Sequence, residues 1–243
     1  PRNTPAGNVG RLPAFPAWWC ETPTGAAGAD FLYDSHQVLP GKYDLDGLPC
    51  AHDEDSEAET LSILLKDPRH RPGTGTAVRR VCPPGCDHPG SAAAQRRQRP
   101  PAAGKAASLC LDLPSAAGTS STSTAATPWN AGWSATPCQR HHHRVLHRGA
   151  SSHHHNPFVI LCDHGADEDH GLCYGVMPVY SGSHRTDIEV DQNGLTRLVT
   201  GIHDERFSWK LEAGETFTAP EVLLCCTPDG LGTCPPITTT FLR

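Results

Sequence analysis

Polar and apolar positions alternate most clearly in the last part of the chain, from about Arg148 onward. Thr186-Asp187-Ile188-Glu189-Val190 alternates, Asp191-Gln192-Asn193-Gly194 supplies residues able to turn, and Leu195-Thr196-Arg197-Leu198-Val199 resumes the pattern. This predicts a β-hairpin. Phe207-Ser208-Trp209-Lys210-Leu211 alternates again, Glu212-Ala213-Gly214-Glu215 turns, Thr216-Phe217-Thr218 returns, and Glu221-Val222-Leu223-Leu224 predicts one more strand. Antiparallel pairing with one buried face accounts for such alternation. Near the other end, Thr60-Leu61-Ser62-Ile63-Leu64-Leu65 is short, apolar and partly alternating, so strand is favoured over helix there as well.

Between these parts the pattern fails. Residues 68–147 contain no Ile, Phe or Tyr, their only acids are Asp87 and Asp112, and they hold ten of the twenty Lys and Arg. Burial of apolar surface contributes roughly 25 cal/mol per Å², against an ordering cost on the order of 1 to 2 kcal/mol per residue. Tracts of Ala, Pro, Arg and Ser have little to set against that cost, and disorder is expected. Only Ser108-Leu109-Cys110-Leu111-Asp112-Leu113-Pro114 reads as a strand. The chain therefore divides into 1–67, an aberrant low-complexity segment at 68–147, and 148–243.

Composition agrees with a turn-rich β protein: Gly and Pro number 23 each, and 37% of residues are hydrophobic. A formal charge of −6 points to no nucleic-acid partner. The chain opens on Pro1 and contains neither a basic start followed by an apolar run nor a long apolar span, so neither export signal nor membrane segment is expected. Eleven cysteines is an odd count without a disulfide spacing, which predicts reduced thiols and a cytoplasmic location.

Four blocks carry a family resemblance: Asp34-Ser35-His36 with Leu39-Pro40-Gly41-Lys42; Gly47-Leu48-Pro49 with Asp55-Ser56-Glu57-Ala58-Glu59-Thr60-Leu61; Gly149-Ala150-Ser151-Ser152-His153-His154-His155-Asn156-Pro157-Phe158; and a long run from Ala166-Asp167-Glu168-Asp169-His170-Gly171 to Pro220-Glu221. In order and spacing they resemble the amino-terminal domain of glycoside hydrolase family 36, the α-galactosidases. The resemblance implies an all-β fold, an antiparallel β-supersandwich of the galactose-mutarotase-like type, here incomplete. It also implies a parent enzyme that hydrolyses terminal α-D-galactosyl bonds with retention, assembled as a homo-tetramer. Two carboxyl groups about 5 to 5.5 Å apart would do that chemistry, and in the family both are aspartates of a barrel that follows the sandwich. No such barrel is recognisable here, so this chain is expected to be non-catalytic. Near the start, Arg11-Leu12-Pro13-Ala14 resembles a family segment preceded by an Asp, but Val9 and Gly10 stand where that Asp would be.

Local chemistry adds no site. Asp167, Glu168 and Asp169 read as one solvated turn. Asp187, Glu189 and Asp191 share a strand face at period two and read as a solvated face. The acidic loop Asp53-Glu54-Asp55-Ser56-Glu57 lacks the spacing of a calcium loop. His141-His142-His143, His147 and His153-His154-His155 are dense, but three consecutive His on a strand cannot all reach one tetrahedral ion. Cys82-Pro83-Pro84-Gly85-Cys86 is half of a zinc knuckle without its second half, and Ser151-Ser152-His153 is not a triad. No catalytic, cofactor-binding or metal residue is assigned, and no cofactor. The competing readings are a stand-alone carbohydrate-binding β-sandwich using Trp18, Trp19, Trp129 or Trp133, a metal- or nucleic-acid-binding product of the basic middle segment, and a decayed fragment without function.

Leu109-Cys110-Leu111-Asp112-Leu113-Pro114 also resembles a piece of the family domain in its proper place, whereas its flanks, with Pro83-Pro84-Gly85 and Gln95-Arg96-Arg97-Gln98-Arg99, do not. Translation of the flanks out of frame accounts for the contrast. Resequencing the locus is expected to recover apolar, alternating strands in another frame; an uninterrupted frame encoding these same residues removes the idea.

Overall fold

The structure, a computed structural model, describes residues 18–21, 32–51, 58–66, 75–82, 88–92, 102–113, 124–129, 132–137, 143–147, 149–150, 157–163, 165–190, 195–205, 207–210 and 216–233. At 18–21, 66, 75–82, 88–92, 102–104, 124–129, 132–137, 143–147 and 210 the description is of the backbone.

Among the described residues every element is a strand: β1 (Trp18–Glu21), β2 (Leu32–Pro40), β3 (Glu59–Lys66), β4 (Gly75–Cys82), β5 (His88–Ala92), β6 (Ala102–Leu113), β7 (Thr124–Trp129), β8 (Gly132–Pro137), β9 (His143–His147), β10 (Val159–Cys162), β11 (Cys173–Pro178), β12 (His184–Val190), β13 (Thr196–Ile202), β14 (Trp209–Lys210) and β15 (Val222–Thr227). They form three sheets, ordered β1-β6-β13-β12-β9 with β14 also on β6, β15-β11-β10-β7-β8, and β2-β3-β4-β5. β12 and β13 pair antiparallel, as the expected hairpin requires, with Asp187 opposite Val199 and Ile188 opposite Leu198.

The first two sheets meet through a core of Leu109, Val159, Leu161, Val176, Ile188, Leu198 and Val222. Period two decides which residues enter it: on β10, Val159 and Leu161 join this core, while Ile160 and Cys162 join Phe158, Cys173 and Cys225 on the reverse face. The second sheet is thus apolar on both sides at β10, and all four of its residues are buried. Six of the seven residues of β13 are buried too, so the expectation of one buried face gives way to a sheet covered on both.

Residues 41–51 form a loop against the second sheet. Tyr43, Leu45 and Ala58 make a small cluster of their own, and Ala51 packs with Val179 and Leu223. Two elements differ from the sequence reading. The strand expected at 207–211 is described at Trp209–Lys210, with Leu211 outside the described residues, and over 216–218 the pairing is a single β-bridge at Phe217, which is buried against Ala106 and Ala219. Within 68–147, where one strand was read, the backbone runs through six, and the one that was read extends back to Ala102 as β6. The reason is that sheet pairing uses main-chain groups, which Ala, Gly and Ser carry as well as Val; β6 donates and accepts on both edges, to β1 and to β13.

At the junction of β6 and β13 the register shifts between Thr200 and Gly201. A Cβ on Gly201 would stand 2.7 Å from the Ala107 Cα and 2.8 Å from the Ser108 nitrogen. Both are backbone atoms and cannot swing away. Gly201→Ala is accordingly expected to destabilise the fold by about 1 to 3 kcal/mol, the usual range for overpacking, read as a lower urea midpoint with an unchanged slope; an unaltered midpoint would show that the two strands are not in this contact.

Candidate functional site

The chemistry-bearing side chains gather at four places, and at each one a carboxylate is met by a cation or by backbone N–H groups. On the face of the first sheet opposite the sandwich core, Asp187 of β12 is 2% exposed. Arg185 Nε lies 2.7 Å from its Oδ2, and Lys105 Nζ of β6 lies 3.8 Å away. The same Arg185 reaches Asp204 with Nη1, 2.6 and 2.7 Å from the two carboxylate oxygens. Burial alone would raise the Asp204 pKa, but the hydrogen bond and charge of Arg185 overcome it and hold the carboxyl below its ordinary value. Arg185 is itself pushed up: desolvation works against its charge, and the bonds to Asp187 and Asp204 prevail.

Two further pairs tie distant parts of the chain together. Arg197 of β13 makes a fork of two bonds to Asp112 of β6, Nε to Oδ1 at 2.6 Å and Nη2 to Oδ2 at 2.7 Å. Glu221, fully buried beside β15, accepts from the Ala51 backbone N–H at 2.8 Å and sits 3.3 Å from Lys42 Nζ. Lys42 also lies over the Tyr43 ring, 4.8 Å from its centroid. This pair fastens the 41–51 loop to the second sheet.

The fourth place is the exposed turn after β10. Asp167 Oδ1 accepts from the backbone N–H of Asp169 at 2.9 Å and of His170 at 2.7 Å, and those bonds lower its pKa. Behind the turn, Gly230 takes a φ of +78°, and a Cβ there would meet the Asp167 carbonyl oxygen at 2.6 Å. Asp167, Glu168 and Asp169 are exposed, as a solvated turn requires.

Asp187 corrects the reading of a solvated strand face: the sheet is covered on that side, and the carboxylate is buried with its cations. Glu189 is half-buried, and Asp191 lies outside the described residues. His141, His142, His153, His154, His155, Ser151, Ser152, Cys86, Arg11 to Ala14 and the 53–57 loop lie outside them as well. His143 and His147 are in β9, Cys82 in β4, Trp18 and Trp19 in β1, Trp129 in β7 and Trp133 in β8, each described by backbone alone. Among the described residues no group of three His, Cys, Asp or Glu is placed to hold a metal ion.

Sequence reasoning passed over Lys105, Arg185, Asp204 and His203. His203 is buried, and its Nδ1 accepts from the Glu205 backbone N–H at 3.0 Å, which leaves the proton of a neutral ring on Nε2. It also passed over Trp209 as a surface group: the ring is 48% exposed and rests on Phe217, centroids 5.5 Å apart. Charge order along β12 offered a signal for the first group, since Arg185 and Asp187 are two apart on one face.

A retaining glycosidase needs one carboxyl whose pKa is raised, to serve as acid, opposite a second that stays ionised. Asp167 and Asp204 both move downward, so each is an ionised acceptor and neither is poised to donate. What this arrangement does chemically is neutralise charge and fasten loops to strands.

Comparison with known proteins adds a lineage. The family model described as "Glycosyl hydrolase family 36 N-terminal domain" matches residues 9–73 and 136–212. The bifunctional α-galactosidase/sucrose kinase AgaSK of Mediterraneibacter gnavus is 34% identical over 215 residues, covering 85% of this chain and 22% of its own. α-Galactosidase AgaA of Geobacillus stearothermophilus is 32% identical over 238 residues, 89% of this chain and 30% of its own. The crystal structure of the α-galactosidase AgaB from the same organism superposes with a TM-score of 0.81 at 29% identity, over 89% of this chain and 30% of that one. An AgaA variant solved in complex with raffinose gives the same TM-score at 30% identity and the same coverage. The chain thus spans 22 to 30% of the length of these relatives.

Asp204 yields a pH prediction. Its pKa is lowered in the folded state, so its contribution is present above the unfolded value near 3.8 and is lost as pH falls through the lower folded value. Urea midpoints taken across that acid window are expected to fall less steeply in Asp204→Asn than in the parent chain; parallel curves would show that the Arg185 pair contributes nothing.

Proposed function

This chain belongs to glycoside hydrolase family 36, as its N-terminal domain, and from that membership we propose that it serves as the non-catalytic β-sandwich of an α-galactosidase. In this reading the sandwich stands beside a catalytic portion that supplies the two carboxylates, and the whole hydrolyses terminal α-D-galactosyl bonds of oligosaccharides with retention, as a homo-tetramer. One observation carries it: the fold superposes over 89% of this chain on an α-galactosidase about three times as long, and that superposition uses 30% of the longer chain. The carboxylates at Asp187, Glu221 and Asp112 are matched to cations, which supports a scaffold in preference to a catalyst. Raffinose and stachyose, found in complexes of AgaA variants, indicate the substrate class of the whole enzyme.

The same reading places the protein in a reducing compartment, supported by the six cysteines with described side chains, which are in the thiol form and not in disulfides. It treats 68–147 as aberrant, supported by the break in the family match at 74–135. A second reading, a sandwich that binds sugar by itself, is favoured by Trp209, whose half-exposed ring backed by Phe217 has the form of a stacking platform.

Two measurements on the purified chain decide between them. Neither melibiose nor a chromogenic α-galactoside is expected to be cleaved, and release of galactose with contaminating enzyme excluded overturns the scaffold reading. Calorimetry with galactose and raffinose is expected to show no heat of binding; saturable binding that Trp209→Ala abolishes would establish the second reading.

A further inference from the structure

The sandwich contains a chemical pair that the scaffold role does not use. Cys162, the last residue of β10, stands directly opposite Cys173, the first of β11. One step beyond, the Asp163 N–H donates to the Leu172 carbonyl at 3.1 Å, so residues 163 and 172 are a hydrogen-bonded pair of the ladder. Antiparallel ladders alternate, which makes Cys162 and Cys173 a non-hydrogen-bonded pair. Such pairs bring Cα atoms to about 4.5 Å and their side chains closest together. Disulfides accept Cα separations of about 4.4 to 6.8 Å, so the backbone already has the required spacing. The two thiols share a hydrogen bond and point to the same side of the sheet, into the cluster with Phe158 and Ile160.

A third thiol is near but is not equivalent. Cys225 of β15 lies opposite Gly175, two positions along from Cys173. Diagonal neighbours of that kind stand roughly 7 to 8 Å apart, beyond the range for a disulfide without backbone movement.

We propose that Cys162 and Cys173 are a modification site: a two-electron oxidant of the peroxide class closes them into a cross-strand disulfide, and a dithiol reopens it. The balance is complete. One sulfur, that of Cys162, attacks a peroxide oxygen to give a sulfenic acid and one water; the Cys173 sulfur then displaces the hydroxyl, which leaves with the second thiol proton as another water. Two thiols are oxidised and one peroxide is reduced.

Burial sets which oxidants can act. Cys162 keeps 7% of its surface exposed and Cys173 none, so Cys162 is the point of entry and a small oxidant has the advantage. Desolvation, reinforced by the neighbouring Cys162, Asp163 and Cys225, pushes the Cys173 thiol up to about 12, and burial raises Cys162 as well. Thiolate is therefore scarce, the reaction is slow, and in a reducing compartment the pair stays open. Once closed, the bond would fix the base of the 163–172 loop, which carries the exposed Asp167 turn.

The test uses the full chain, folded, treated with hydrogen peroxide, quenched, alkylated after unfolding and cleaved on the amino side of aspartate and after arginine, which separates the two cysteines at Asp163 and removes Cys138 from the Cys162 peptide. A linked Cys162–Cys173 peptide pair that dithiothreitol abolishes is expected, with a rise in unfolding temperature of about 5 °C. Cys173→Ser should lose the link and leave Cys162 as a sulfenic acid captured by dimedone. Recovery of both cysteines alkylated, or of Cys162 joined to another cysteine in preference, overturns the proposal; should the variant misfold, the peptide map of the parent chain decides by itself.

Discussion

The fold depends on one contact, the stacking of the β6-β13-β12 surface on the β10-β11-β15 surface. Seven buried side chains, all Leu, Ile or Val, make it. None of the six strands that supply them could bury these residues alone, because each strand alternates and presents only half its side chains to any one side. The contact joins residues as far apart in sequence as Leu109 and Val222, so the island in the middle segment and the end of the chain are parts of one core. The 41–51 loop is laid on the outside of this pair of sheets.

Covering a sheet on both faces brings charge into the interior, and the chain meets that with pairing. An unpaired buried charge costs several kcal/mol, yet Asp187, Glu221, Lys105 and Arg197 are all buried. Each has its opposite within hydrogen-bond or ion-pair distance, on another strand or another loop. An ion pair between two strands is satisfied in one register only. Arg197 with Asp112 fixes β13 against β6; Lys42 with Glu221 fixes where the 41–51 loop lies.

The proposed scaffold role agrees with the way the described carboxylates are held. Catalysis of glycoside cleavage asks for an acid kept protonated and a partner kept ionised, which means environments that push two pKa values apart. Here the surroundings push Asp167 and Asp204 the same way, toward the ionised form, through N–H donors in one case and a guanidinium in the other. Such groups accept hydrogen bonds and hold structure.

Much of this was legible in the residues. The hairpin at 186–199, the strand at 60–65, the exposed Asp167 turn and the family itself followed from alternation, turn residues and ordered motifs, all local properties that a strand or turn shows wherever it sits. Burial of Asp187 was not legible, because period two reports which residues share a face and not whether that face meets water. The other five strands within 68–147, and the extension of β6 back to Ala102, were not legible either, since backbone pairing leaves little mark on side-chain composition. Nor was the opposition of Cys162 and Cys173, which are eleven residues apart in sequence and meet only because the ladder between β10 and β11 has the register it has. The sequence by itself determined that this is an antiparallel β protein of a known lineage; tertiary structure alone decided which charges are inside and which side chains face each other, because both depend on what covers a sheet rather than on the strand that carries them.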